Sequence, residues 1–431
     1  MPQNVWANDH RMTTMSRASF FCTMLAATFA LAPAAFTHDV GIRRAGKESR
    51  VQNPAMQQKI NAVFAPLADE HSPGLAALVL KDGKKLFERG YGLRDLHTAT
   101  KIDARTTFRL ASCSKQFTAK AIMLLVRDGK LRYDQTLTEI FLDFPAYGKS
   151  ITIRNLLNHT SGLQDYETLM DQADALNSKY PFPHHWTEKN QIQDAEVLTL
   201  LEQTDHALFP AATQWYYSNS GYVVLGLVVA KISGQPFAEF LHQRIFAPLK
   251  MHNTVAYQQG KNQITNRAYG HTPSSQPPSA QSANAKTNNA AKWQQTDQSP
   301  TSATLGDGGI YSSLEDLAKW DEALRTNQLL TKEEMQPALT PFVFPDGRQP
   351  VWPANSDRPA GSPALYGFGW FLDPYENHPR TWHYGETQGF RTYIARFPDD
   401  RLTIIILCNR TDITPELFAL QIADLLVDSE K

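Results

Sequence analysis

Cysteine is almost missing from this sequence: 3 in 431 residues. So few rule out a scaffold stapled by several disulfides, and no Cys/His pairs stand at zinc-ligand spacing. An excess of one charge is missing as well. With 42 Lys and Arg against 43 Asp and Glu, the formal net charge is -1, which gives no bulk attraction to nucleic acid or to an anionic membrane. No Gly-rich phosphate loop of the Walker type occurs. What is present is ordinary: 42% hydrophobic and 20% charged residues, the balance of a soluble enzyme with one large core or two closely packed subdomains.

The one long apolar run lies near the N-terminus. Arg11 and Arg17 precede Ala18 to Phe36, and Ala32-Pro33-Ala34 offers a small-x-small cleavage pattern. Residues 1–37 are therefore expected to be a secretory signal peptide, and the mature protein to be periplasmic or secreted. The long segment ahead of the run carries Asp9, which makes Met12 and Met15 alternative starts. An uncleaved anchor is the competing reading, because the run is near the shortest length that spans a bilayer. Cys22 follows Phe20-Phe21 rather than small residues, which argues against a lipid anchor. Cleavage would leave Cys113 and Cys408, expected as buried free thiols.

Hydrophobic periodicity places an amphipathic helix over Pro54 to Glu70. A hairpin follows: Gly74 to Lys81, the turn Asp82-Gly83, and Lys85 to Tyr91. A helix runs from Ser112 to about Asp128, with Gly129 as its stop. Further helices are expected at Ile153 to Leu157, ending in the turn His159-Thr160-Ser161-Gly162, and at Asp194 to Thr204, Gly221 to Ser233 and Pro236 to Ile245. Residues 258–300 are rich in Ser, Asn, Gln, Pro and Ala and read as a long irregular surface insertion, with Tyr269 and Trp293 as anchors. A helix over Ser313 to Leu324 comes next. Strands are expected at Tyr366 to Leu372, Arg380 to Tyr384, Gly389 to Phe397 and Leu402 to Cys408, then a closing helix from Pro415 to Asp428. Leu402 to Leu407 is apolar on both faces, as in a central strand covered on both sides. Strands at both ends of a helical middle predict one sheet assembled from the two termini.

Ser112-Cys113-Ser114-Lys115 places a hydroxyl and an amine three positions apart at a helix start, on one face. Serine is a weak nucleophile until a base takes its proton, and lysine serves as that base only when burial or a helix dipole displaces its own. Cys113, rotated about 100° round the helix, points elsewhere. In Trp215-Tyr216-Tyr217-Ser218-Asn219-Ser220-Gly221, Tyr217 supplies a phenol able to relay a proton. Asn219 supplies an amide able to hold Lys115 and a substrate carbonyl. The third cluster is His383-Tyr384-Gly385-Glu386. Gly385 removes a side chain where a substrate could lie against a strand edge, and the Glu386 N–H can pair with that of Ser112 as an oxyanion hole. Each cluster alone is weak, since serine–lysine pairs, capping loops and strand histidines are common.

Their order and context together resemble the serine β-lactamase and penicillin-binding-protein superfamily, with its Ser-x-x-Lys, Tyr-x-Asn and His-x-Gly motifs. The likeness is closest to the branch of class C β-lactamases, D-aminopeptidases and related esterases. It extends to Phe108 to Ala119, Ile151 to Leu163, Gly308 to Ser312 and Tyr366 to Trp370. The resemblance implies an α+β fold of the β-lactamase/transpeptidase type: an antiparallel sheet from both termini, flanked by helices, with a mostly helical inserted subdomain. The domain would span 54–428. It further implies that Ser112 is acylated and Lys115 is its base or partner. Tyr217 would be general base and proton shuttle, Asn219 a substrate ligand, and His383 a hydrogen-bonding group near Tyr217 or the substrate. That chemistry requires no metal or organic cofactor. The expected partner is a small-molecule or short-peptide substrate, with no nucleic acid and no membrane beyond the export signal.

Two departures bear on the substrate. His383 replaces the lysine of the β-lactamase motif, removing a permanent positive charge. Glu386 stands where a small residue is usual, and Gln388 where proline is frequent. These changes favour an esterase or amino-terminal peptidase over a β-lactamase or D,D-carboxypeptidase. A catalytically silent binding or sensor protein of the same fold is the third reading.

Overall fold

The computed structural model describes residues 53–427, apart from 68, 174–185, 275–291, 355 and 357. The expected signal peptide and the middle of the 258–300 segment lie outside the described residues.

Among the described residues, twelve strands follow one another. They are β1 (Leu75–Lys81), β2 (Lys84–Tyr91), β3 (Leu93–Asp95), β4 (Thr100–Lys101), β5 (Phe108–Arg109), β6 (Val255–Ala256), β7 (His271–Pro273), β8 (Trp293–Gln295), β9 (Ile310–Ser312), β10 (Thr381–Thr387), β11 (Phe390–Phe397) and β12 (Leu402–Cys408). The main sheet has the order β10-β11-β12-β1-β2, antiparallel throughout. The two ends of the chain do meet in one sheet, with Leu75 paired to Cys408 and Lys81 to Leu402. The β1–β2 turn places Asp82 at φ 55 and Gly83 at φ 71, the left-handed pair that a tight hairpin requires.

Strand alternation divides the core in two. Ala76, Leu78, Leu80, Ile405 and Leu407 face one apolar cluster, while Leu75, Ala77, Val79, Ile404, Ile406 and Cys408 face the other. The first cluster includes the Lys115–Arg127 and Asn219–Ser233 helices; the second is closed by the first helix (Pro54–Val63) and the last (Pro415–Asp424). Every residue of β12 is buried, which accounts for its apolar run on both faces. Among the described residues, no single helix is long and apolar enough to cross a membrane.

Two expectations are corrected. The first helix stops at Val63 and continues only as a 3-10 turn, Ala65–Leu67. Tyr366 to Leu372 is not a strand. Gly369 has φ 77, and a side chain there would press on Gln116 of the Lys115–Arg127 helix. The segment therefore turns back on itself, with the Gly367 N–H donating to Trp370 O. Its aromatic residues divide between the two cores: Phe368 and Trp370 enter the first, Tyr366 and Phe371 the second. At the edges of the 258–300 segment, β7 pairs with β8, and Arg410 stacks on Trp293 at 4.5 Å.

Candidate active site

The residue before Ser112 is bent out of the ordinary. Ala111 has φ 47, a left-handed conformation that alanine rarely adopts and that marks strain held by its surroundings. A 3-10 turn (Ala111–Ser114) follows and passes into the Lys115–Arg127 helix. Two hydroxyls of this element tie down the Gly306–Ile310 loop: Thr118 Oγ1 donates to Gly306 O at 2.6 Å, and Ser114 Oγ accepts from the Ile310 N–H at 3.2 Å. The loop is thereby laid along the helix with a carbonyl turned toward Lys115.

Lys115 is fully buried. Its Nζ lies 2.8 Å from Asn219 Oδ1, 3.0 Å from Asp307 O and 3.0 Å from Ser112 Oγ. A neutral amine has two N–H donors and one lone pair. Asn219 and Asp307 can only accept, so the lone pair falls to the Ser112 hydroxyl. Burial pushes the lysine down to about 8, against the pull of Asp307 and Asp165. The four atoms thus fit a lysine poised to receive the serine proton.

Tyr217 ends the approach to the Asn219–Ser233 helix, whose N-cap, Ser218, accepts from the Gly221 N–H. Lys115 Nζ is 4.9 Å from the Tyr217 ring centre. Burial holds the phenol protonated far above its usual range, opposed by the nearby Ser112 hydroxyl. No well-aligned hydrogen bond satisfies its buried Oη, so a polar group is left facing the reaction centre. The ring rests on His159, centroids 4.3 Å apart, and His159 Nδ1 accepts from the Ser218 N–H at 3.2 Å. His159 itself sits at φ 62. The His159–Gly162 turn, read from sequence as structural, therefore orients Tyr217 and Asn219.

His383, expected as a hydrogen-bonding group near Tyr217 or the substrate, packs beside Tyr217 and makes its hydrogen bonds within the fold. It is completely buried, with Nδ1 2.6 Å from Tyr384 O and Nε2 3.0 Å from Tyr366 Oη. A carbonyl can only accept, so Nδ1 carries the proton and Nε2 receives the Tyr366 hydroxyl. Burial and Lys115 push the ring down to about 3, so it stays neutral and both its nitrogens are engaged. Its ring centre is 6.2 Å from that of Tyr217, a packing distance.

Gly385 also has a reason in the packing of the fold. An added Cβ would meet Leu110 O at 2.2 Å and Ala111 Cβ at 3.2 Å. The missing side chain lets β10 touch the nucleophile turn itself. Along β10, Trp382 exchanges both backbone bonds with Phe371, at 2.8 and 3.0 Å, and so turns its peptide groups away from β11. Direction alternates along a strand, which puts the Glu386 N–H on the same outer edge, one residue beyond the Gly385 that packs on Ala111. The Glu386 side chain leans away to Arg391, at 3.4 Å. Cys113 faces His383 O at 3.3 Å, and burial pushes its thiol up to about 12; like Cys408, it is a buried free thiol.

Asp307 and Tyr366 were given no role in the site from sequence. Asp307 supplies the carbonyl to Lys115, and its carboxylate accepts from Tyr166 Oη at 3.2 Å. Asp165 accepts from the Asn219 N–H at 3.3 Å. Tyr366 holds His383. Among the described residues, no group of three or more His, Cys, Asp or Glu side chains is arranged to hold a metal ion.

Comparison with known proteins agrees with this geometry. The family model described as Beta-lactamase matches residues 60–428. Penicillin-binding protein 4* of Bacillus subtilis is 28% identical over 368 residues, covering 83% of this chain and 73% of the relative. Protein flp of Staphylococcus aureus is 23% identical over 377 residues, 85% of this chain and 66% of its own length. Three solved structures share the fold. The octameric penicillin-binding protein homologue from Pyrococcus abyssi has TM-score 0.67 and 22% identity, covering 86% of this chain and 77% of its own. D-amino acid amidase from Ochrobactrum anthropi SV3, complexed with L-phenylalanine amide, has TM-score 0.64 and 22% identity, covering 85% and 98%. EstCE1, a hydrolase with promiscuous acyltransferase activity, has TM-score 0.64 and 20% identity, covering 86% and 98%. With most of its length matched by the family model and a serine–lysine pair at its centre, the chain belongs to the Beta-lactamase family and is a serine hydrolase of the superfamily that includes penicillin-binding proteins.

Proposed function

We propose that this hydrolase cleaves an ester or amide of a small molecule or short peptide through an acyl-enzyme on Ser112, and that it acts after export. Lys115 takes the Ser112 proton as Oγ attacks the carbonyl carbon. The N–H groups of Ser112 and Glu386 receive the oxyanion. On collapse, Tyr217 gives its proton to the leaving oxygen or nitrogen and regains one from Lys115. Water then attacks the acyl-enzyme by the reverse route, releasing the acid and restoring Ser112. Assigning the base to Lys115 and the acid to Tyr217 follows from their opposite shifts: the amine is lowered to about 8, the phenol raised.

The single observation that carries this reading is the set of three contacts at Lys115 Nζ, which leaves its lone pair for Ser112. The surroundings favour a neutral or cationic substrate over a carboxylate. Asp165, Glu167 and Asp307 all bear on Lys115, and His383 brings no charge. Ser112→Ala should abolish both p-nitrophenyl acetate turnover and labelling by a fluorophosphonate; retention of either by the folded variant contradicts the assignment. Nitrocefin turnover by the wild-type protein would move the substrate toward β-lactams.

A further inference from the structure

A cavity of about 270 Å³ opens on the outer face of β10, walled by Arg358, Tyr384, Glu386, Arg391, Thr414 and Glu416. Its Tyr384 wall and Tyr217 share a ring neighbour. Phe371 stacks on both rings, 6.5 Å from Tyr217 and 6.1 Å from Tyr384. Gly385 also lines the cavity, which therefore adjoins the stretch of β10 that packs on Ala111.

The charges on its walls are arranged in two pairs. Arg358 meets Glu416 at 2.8 Å and lies over the Trp382 and Tyr384 rings. Arg391 meets Glu386 at only 3.4 Å, with the Glu386 side chain more than half exposed. Arg391 does not depend on that carboxylate for its position. Its Nη1 donates to Thr387 O at 3.0 Å and Phe390 O at 2.9 Å, the carbonyls of its own hairpin. The guanidinium is thus a cation held by its own hairpin, and Glu386 is the more exposed anion beside it.

We infer that Glu386 is a built-in counter-ion that sets charge selectivity for the leaving group. By neutralising Arg391 at the cavity rim, it turns away substrates whose leaving group is anionic and admits neutral and cationic ones. Without it, the hairpin-held Arg391 would present an anion subsite beside the oxyanion edge. The inference rests on Ser112 being the nucleophile and on the Glu386 N–H facing the reacting carbonyl.

The test compares kcat/KM for phenyl acetate, 3-carboxyphenyl acetate and 3-(trimethylammonio)phenyl acetate, each ratio normalised to the neutral ester so that effects shared by all three cancel. In Glu386→Ala and Glu386→Gln, the carboxy-to-neutral ratio should rise about tenfold and the ammonio-to-neutral ratio should fall, the scale of one partly screened charge within a few ångströms. Adding Arg391→Met should cancel the gain. Relative binding of 3-hydroxybenzoate and phenol to the same variants, by calorimetry, reads the cavity without turnover and should shift by a similar factor. Ratios and relative binding that stay within about twofold of wild type overturn the inference while leaving the nucleophile intact. Phenyl acetate turnover by Ser112→Ala would instead overturn the reading on which it rests.

Discussion

Lys115 turns a fixed arrangement of atoms into a dependence on pH. In the proposed mechanism its amine accepts the Ser112 proton only when neutral, and it is held at about 8. Activity should therefore be low where the amine is protonated and climb as pH rises through that value. For a neutral ester, kcat/KM measured from about pH 5 to pH 10 should show an acid limb centred near 8. A limb near the ordinary histidine range, about 6.5, would point to an imidazole base and away from Lys115. His383 contributes no such limb, being neutral from about 3 upward. Lys115→Arg should abolish turnover, because a guanidinium keeps its proton at every pH in this range. Ser112, Lys115, Tyr217 and Asn219 were singled out by residue type and spacing, their roles came only from the family resemblance, and the structure brings the four side chains together. The partners that orient them were not singled out. Asp307 O reaches Lys115 from 192 positions away in the chain, and Tyr366 engages His383 from inside a segment whose own pattern suggested a strand.

At the scale of elements, the site depends on a contact between a strand and a turn. β10 approaches Leu110 and Ala111 so closely that no side chain fits at position 385. Gly385→Ala should cost on the order of 1–3 kcal/mol through overpacking, seen as a lower urea midpoint. The acylation rate should fall further than stability alone explains, because the strained Ala111 and the oxyanion edge move apart together. Normal acylation in a folded Gly385→Ala protein would show that the contact is structural only. Elements with a local cause were read correctly from sequence. The Asp82-Gly83 turn, the Ile153–Leu157 helix and the apolar β12 each follow from nearby residues. Tyr366 to Leu372 was misread because its apolar spacing serves two cores at once, with Gly367 and Gly369 supplying the bends. Periodicity measures how much of a segment is buried but not how many faces bury it.

Across the whole molecule, one buried charge site works against stability. Lys120 is buried on the nucleophile helix, with Nζ 2.7 Å from Met335 Sδ and 5.5 Å from the Trp320 ring centre. Burial and Arg396 push it down to about 7, with Glu334 opposing. The unfolded chain, with an ordinary lysine, binds the proton up to about pH 10.4. Between these values the unfolded state holds more protons, so stability should rise with pH. Lys120→Met should raise the thermal midpoint at about pH 6 and change it little at about pH 10; an equal gain at both would trace the effect to packing instead. The sheet has a consequence of another kind. β12, at its centre, joins β1 on one side to β11 and β10 on the other. A chain growing from its N-terminus makes Ser112 and Lys115 long before it makes the strand that completes the oxyanion edge. Loop closure over so long a span is slow and cannot begin early. A nascent or truncated chain therefore carries the nucleophile without the means to use it, and hydrolytic competence should appear in one step, when the last strands dock.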